Sequence, residues 1–260
     1  MRTIKTISLM ATMVGLFMFN VSTNASILDK RIEASAKKSY VFKTYLKHDN
    51  VKVESKDNGM VILTGTVSNE SHKSLAAETV TGLNGVKSVE NNLEVKGEHA
   101  SNFSDTWLGD KVKLTLLFHS NVSAGKTHIS VENHVVTLTG VAINQAQKEL
   151  TTEYAQDVEG VKQVKNEMTV SKSSKGIVKS IGGFIDDASI TAQVETVLLF
   201  HRSTHLLTTK VETKNGLVMV SGKAQNAAEK DLVTKLISDI HGVKSVVNNM
   251  TVIGSMSESK

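Results

Sequence analysis

Nine histidines in a chain without cysteine are the first residues whose chemistry has to be weighed, because imidazole can hold a metal or carry a proton near neutral pH. His119, His128 and His134 fall at a helix end, on a strand and in a turn, and His205 follows His201 by four residues. No two stand one helical turn apart inside a predicted helix with a carboxylate partner, so a histidine-only site would have to gather from distant parts. They read as solvated helix-end and surface groups. Gly125-Lys126-Thr127 matches the end of a phosphate-binding loop, but that motif needs glycine where the chain has Ser120, and a helix where the pattern places a strand. Carboxylates are spread over polar faces, and no serine or threonine is set beside a base. Nothing meets the requirements of acid–base or nucleophilic catalysis. The expectation is a protein that is not an enzyme and uses no metal and no cofactor.

What recurs instead is a cation. Lys87, Lys162 and Lys244 each stand two residues after a glycine, in Gly85-Val86-Lys87, Gly160-Val161-Lys162 and Gly242-Val243-Lys244. Such lysines could meet lipid phosphates. Trp107, the one tryptophan, opens a predicted helix that also carries Lys111 and Lys113, a set suited to a membrane interface. The plainer reading, of solvated lysines and a packed indole, stays open from the sequence.

The elements that would position these residues come in three copies. Val61-Ile62-Leu63-Thr64-Gly65, Val136-Thr137-Leu138-Thr139-Gly140 and Val218-Met219-Val220-Ser221-Gly222 are one phrase, and each is followed twenty residues later by Gly85, Gly160 or Gly242. Identical spacing in three copies defines a repeat. Asp29, Asp105 and Asp187 lie thirteen residues before Phe42, Phe118 and Phe200, with apolar residues at helical spacing between them, clearest as Ile190, Val194, Val197 and Leu198. That pattern predicts an amphipathic helix whose aspartate accepts free N–H groups at its own start. An alternating strand follows. Asn58-Gly59, Asn133-His134 and Asn215-Gly216 then turn the chain into the Val-x-Leu strand, with a shorter turn expected in the second copy.

Asn69, Asn144 and Asn226 come next as helix N-caps, with Gln147 and Glu229 completing capping boxes that the first copy lacks. The second helix buries Leu75, Val80 and Leu83 or their counterparts, and Gly85, Gly160 and Gly242 suit its C-terminus, before a last strand. The six repeated glycines are therefore structural. The predicted fold class is α+β: three tandem αββαβ modules, each a three-stranded mixed sheet packed on one face by two helices. The predicted bounds are module 1 at 26–97, a linker at 98–104, module 2 at 105–172, a flexible linker at 173–186, module 3 at 187–254 and a tail at 255–260. Each module is expected to fold separately.

The N-terminus places the chain. Met1-Arg2-Thr3-Ile4-Lys5, an apolar run from Ile7 to Phe19 and Ser22-Thr23-Asn24-Ala25 form a secretory signal peptide, residues 1–25. Of 30 basic side chains, Arg2 and Lys5 go with it, leaving 28 against 26 acidic ones. Charge so near balance gives no support to nucleic-acid binding. Without cysteine there is no disulfide framework and no lipid-modified N-terminal cysteine.

The order of elements, the Val-x-Leu-[Thr/Ser]-Gly strand and the Gly-Val-x-x-Val-x-Asn ending, carried from residue 29 to 254, closely resemble the BON-domain family. The resemblance implies a non-enzymatic protein of the periplasm of a Gram-negative envelope, linked to osmotic and envelope stress and contacting phospholipid or envelope proteins. Two functions follow as expectations. One is peripheral binding to a phospholipid membrane surface, in which repetition multiplies weak contacts. The other is a soluble holdase or protein adaptor.

Overall fold

The computed structural model describes residues 27–57, 59–96, 104–171, 184–204 and 208–253. The expected signal peptide, Asn58 of the first turn, most of both linkers and the tail lie outside the described residues. The first module consists of α1 (Ile27–Lys38), α2 (Tyr40–Thr44), β1 (Asn50–Lys56), β2 (Met60–Val67), α3 (Glu70–Thr81) and β3 (Ser88–Val95). The second has α4 (Asp105–Phe118), β4 (Thr127–Glu132), β5 (Val135–Ala142), α5 (Gln145–Gln156), β6 (Gln163–Asn166) and β7 (Thr169–Val170). The third repeats this with α6 (Asp187–Phe200), β8 (Thr209–Lys214), β9 (Leu217–Ala224), α7 (Ala227–Ser238), β10 (Ser245–Asn248) and β11 (Thr251–Val252).

The fold is α+β, in three tandem modules. In each, the Val-x-Leu strand is central, antiparallel to the strand before it and parallel to the strand after the second helix. Alternate residues of the central strand point under the helices, so Val61, Leu63 and Val67, with Val136, Leu138 and Ala142, and Val218, Val220 and Ala224, are fully buried. The motif asparagines join helix to last strand: the Asn166 side-chain amide donates to the Lys148 carbonyl at 2.8 Å, and Asn248 does the same to Lys230 at 2.8 Å. Asn69, Asn144 and Asn226 cap the second helices as expected. Where the first module lacks a capping box, His72 pairs with Asp49 at 2.5 Å, and Asp49 accepts the Ser68 N–H at 2.7 Å.

Several local expectations change. The turn joining the first two strands is two residues long in both the second and third modules and three in the first, so the first copy is the odd one. Gly85, Gly160 and Gly242 have positive φ, but they lie in the turn leading into the last strand, several residues past the helix end. Gly65, Gly140 and Gly222 lie inside their strands rather than at the ends. Gly140 has φ +120° and a Cβ there would sit 2.0 Å from the Lys126 carbonyl oxygen; for Gly222 the values are +141° and 2.5 Å to Thr208. The constraint is therefore close backbone approach of the neighbouring strand as well as the left-handed conformation. The first helix of module 1 is also broken, at Ser39, because Tyr40 N–H donates to Asp186 Oδ2 at 2.7 Å and Val41 N–H to Ser189 Oγ at 3.1 Å.

Those two bonds come from the third module, and they expose the largest difference from expectation: the modules are not separate bodies. Buried residues of modules 1 and 3 form one continuous core, which also takes in Leu114 and Phe118 of α4, while the rest of module 2 has its own core. At the centre is α6. It is buried on nearly all sides, including Thr191, Ala192, Gln193 and Thr196 on faces that an amphipathic helix would leave to water. Small residues let the end of α3 approach it, since a Cβ on Gly82 would sit 3.6 Å from the Ala188 backbone. Aromatic edges complete the joints, Tyr45 against Phe118 at 5.3 Å and Trp107 against Phe200 at 5.9 Å.

The α3–α6 seam also traps a carboxyl pair. Burial, and then the hydrogen bond and charge of Glu78, hold the Glu195 carboxyl protonated well above its ordinary value of 4.5. The unfolded chain ionises this group above pH 4.5 and the folded one does not, so its contribution to stability is present below that pH and lost as pH rises. Glu195→Gln keeps the neutral shape. It is expected to match wild type in Tm at pH 4.5 and exceed it at pH 8; equal Tm at both would refute the trapped proton. Gly222→Val and Gly140→Val are each expected to destabilise by on the order of 3 kcal/mol or more. Because module 3 shares its core with module 1, Gly222→Val should lower denaturant resistance of both, whereas Gly140→Val should act mainly on module 2, as hydrogen exchange resolved by peptide would show.

Candidate functional site

Each repeated lysine sits in a loop that is held from two sides. The repeated aspartate does not cap its own helix, which is done by Ser104 for α4 and Asp186 for α6. Instead it reaches across to the hairpin turn. Asp105 accepts the Asn133 and His134 N–H groups at 2.7 and 2.8 Å, and Asp187 accepts those of Asn215 and Gly216 at 2.7 and 2.9 Å. In the first module Asp29, buried, accepts the Gly59 N–H at 3.1 Å and the Ser55 hydroxyl at 2.7 Å. The His134 N–H, with lesser help from Asn133, His134 and Lys162, holds the Asp105 carboxyl below the usual carboxylate range. The turn's carbonyl faces the other way and accepts the lysine's own N–H: Lys87 donates to Gly59 at 2.8 Å, Lys162 to His134 at 3.0 Å and Lys244 to Gly216 at 2.9 Å. First helix, hairpin and lysine loop are thus one unit, and Lys87, Lys162 and Lys244 are left exposed on it.

These units do not all meet. The Lys87 and Lys244 loops lie at the start of α6, since Gly82 abuts Ala188 and Gly242 abuts Ile190 and Ile185. The Lys162 loop lies at its other end, where the Arg202 guanidinium donates to the Val161 carbonyl at 3.0 Å. Fourteen helical residues separate the two ends, about 20 Å. The end with two lysines also carries two large apolar side chains in full exposure, Phe184 at 91% and Ile27 at 81%. Ile27 precedes Leu28, which packs on Gly85, and Phe184 precedes Ile185, which packs beside Gly242. Sequence reasoning missed both, because each stands at the edge of an element and belongs to no periodic pattern.

Trp107 and Lys111 leave the candidate set. Trp107 is half-buried edge-on to Phe200, and Lys111 is 9% exposed, its ammonium 2.6 Å from the Glu159 carbonyl and 5.8 Å from the Trp107 ring. Burial lowers the Lys111 pKa. Trp107 thereby joins module 2 to module 3, while Lys111 is tied down within module 2. Lys113 stays exposed, on the rim of a cleft between α4 and β4. Among the described residues no cluster of three or more histidine or acidic side chains is placed to hold a metal, and no helix is long and apolar enough to cross a membrane.

Three αββαβ modules packed together through α6, which meets both α3 and α4, define a repeat-built α+β class. The BON domain family matches the chain at residues 28–97, 104–172 and 186–254, and the chain belongs to that family. It is 32% identical over 146 residues, 56% of its length, to osmotically-inducible protein Y of Escherichia coli strain K12, spanning 71% of that protein. It is 34% identical over 109 residues, 41% of its length, to outer membrane lipoprotein DolP of Haemophilus influenzae, spanning 56% of that protein. Among solved structures it is similar to the C-terminal domain of CdsD, a type III secretion structural protein of Chlamydia trachomatis, at 20% identity and a TM-score of 0.23, covering 87% of this chain and 96% of that one.

Two histidines expected in solvent are instead in the seam between modules 2 and 3. There the two modules exchange reciprocal bonds: Ser120 N–H to Asp239 carbonyl and His241 N–H to Phe118 carbonyl, both 2.9 Å, against Arg202 N–H to Asp157 at 2.8 Å and Glu159 N–H to Phe200 at 2.7 Å. His119 and His201, equivalent in the repeat, are 1% and 7% exposed. His119 stacks on Tyr154 at 3.8 Å, and the Tyr154 hydroxyl donates to Asp239 at 2.8 Å. Burial, and then the nearby His241 and His201, push the His119 pKa down to about 4 from 6.5. The unfolded chain therefore takes up a proton between those values and the folded one does not. Stability is full above pH 6.5 and falls by about 1.4 kcal/mol per pH unit on the way down, roughly 3 kcal/mol in all. His119→Phe should flatten denaturant midpoints measured from pH 7 to pH 4.5; a slope identical to wild type would remove His119 as the cause.

Proposed function

We propose that this protein is a non-enzymatic, exported envelope protein of the osmotic and envelope-stress type, which binds phospholipid peripherally at a periplasmic membrane face. The carrying observation is the end of the molecule at which exposed Phe184 and Ile27 flank the Lys87 and Lys244 loops. Apolar side chains that enter the headgroup boundary beside lysines are the elements of interfacial binding. Held loops spare the ordering entropy that flexible lysines would lose on contact. The names of the two relatives, one osmotically inducible and one an outer membrane lipoprotein, support the compartment and the setting. A net charge this small supplies little long-range attraction, so affinity has to come from local contact.

The mature chain is expected to float with vesicles containing phosphatidylglycerol and much less with phosphatidylcholine alone, with added salt weakening the association. Each interfacial lysine contributes up to about 1 kcal/mol, so reversing both Lys87 and Lys244 to Glu should weaken binding by about tenfold or more. Lys162→Glu, at the other end of α6, should change it little. Phe184→Ser should weaken binding at every salt concentration. If wild type ignores anionic vesicles, lipid binding is lost as a reading and the soluble holdase or adaptor takes its place.

A further inference from the structure

The three modules differ at one position of the first helix, and the difference opens a site in the middle module alone. Four residues after the repeated aspartate stand Glu33, Gly109 and Thr191. Glu33 accepts the Ser55 N–H at 3.0 Å, and Thr191 bonds to the Thr213 hydroxyl at 2.8 Å. Each side chain thereby closes the space between the first helix and the free edge of the first strand. In module 2 the equivalent pair is Gly109 and Val131, and the space is an open cleft of about 470 Å³. Its floor is Ile129 and Val131, which are partly exposed, whereas Val53 and Val211, at the register of Ile129, are 6% exposed. Its helix wall carries Asp105, Asp110 and Lys113.

The repeat itself indicates what this cleft takes. β4 is an edge strand, paired among the described strands with β5 only. In module 1 the outward N–H of Ser55 is satisfied by a Glu33 oxygen; Val131 occupies the same register opposite Val136 as Ser55 does opposite Val61, so its N–H points out of the ladder in the same way. The missing group is an oxygen acceptor. An anion is disfavoured there by two carboxylates against one lysine, so a neutral backbone carbonyl fits better. A strand laid on β4 supplies that carbonyl and sends alternate side chains toward the helix. The one that enters over Gly109 meets an apolar floor and then a carboxylate at the rim, which suits a long aliphatic stem ending in a cation. We infer that the β4 edge and the cleft over Gly109 form a docking site for an extended segment of a partner protein, with a lysine or arginine side chain seated in the cleft. Burial raises the Asp110 pKa, and a cation seated beside it would offset that desolvation. This site is independent of the lipid-facing end.

The probes are fluorescein-labelled heptapeptides Thr-Val-Thr-X-Thr-Val-Thr, with X as Lys, Leu or Glu, titrated against the mature chain by anisotropy. The Lys peptide should bind saturably, at least tenfold tighter than the Glu peptide, and should protect the Ile129 and Val131 amides from hydrogen exchange. Backbone N-methylation of the peptide should abolish binding. Gly109→Thr, which copies module 3, should weaken the Lys peptide tenfold or more without lowering Tm, since glycine is the poorer helix former. Gly109→Glu, which copies module 1, checks the same closure if the threonine packs badly. Asp110→Asn should weaken the Lys peptide severalfold and leave the Leu peptide unchanged. Failure of all three peptides to bind, preference for Glu, or binding that survives both Gly109 variants would overturn the proposal. Equal binding by acetyl-lysine amide would do so too, by showing that no strand is recognised.

Discussion

One carboxylate per module ties the fold together. Asp29, Asp105 and Asp187 each take the backbone N–H groups of a hairpin turn that is distant in sequence and adjacent in space. Charge-assisted bonds to amides that would otherwise need water set the helix against the sheet at one fixed place. The lysine loop then closes on the turn from the opposite side through its own N–H. The exposed lysines and the α4–β4 cleft, whose end Asp105 walls, are both built on this unit.

A module of this kind covers one sheet face with two short helices and has little core of its own. The chain responds by fusing copies. The α6 helix offers apolar or small residues on nearly every side, so one face packs on its own sheet while others take α3 and α4. The cost is polar burial at the seams: a trapped Glu195 proton and a neutral His119 stacked on Tyr154. Opposite pH dependences follow from the two. The acid side loosens the seam between modules 2 and 3, and the alkaline side the seam between modules 1 and 3.

Much of each module was legible in the chain. Val61 and Leu63 alternate into the core, Asn144 and Asn226 cap helices, and Asn215-Gly216 turns with both φ values positive, because these features depend on neighbours a few residues away. The glycines of the Val-x-Leu strands announced their importance but not its cause. Gly140 is required because the Lys126 carbonyl, at the entry to the paired strand β4, comes too close for a Cβ, and that distance is set by pairing. The site residues divide the same way. Lys87, Lys162 and Lys244 are exposed as any loop lysine would be, whereas Trp107 and Lys111 looked like an interfacial pair, yet Trp107 packs against module 3 and Lys111 is buried against the Glu159 carbonyl.

By itself, then, the sequence determined the repeat, the order of the main elements and the central strand of each mixed sheet, since local periodicity and turn chemistry suffice for those, and its motifs carried the resemblance to the family. The last strand runs unbroken only in module 1 and is split in two in the others. Only the tertiary structure decided how the copies meet. That depends on which helix faces remain apolar after each sheet is covered, a property of three modules together. It decided that the aspartate serves the hairpin, that His119 is buried, and that two lysine loops share an end with Phe184 and Ile27 while the third lies about 20 Å away. It also turned a glycine in place of Glu33 and Thr191 into a cleft, because an absent side chain acquires meaning only when the strand it would have touched is in view.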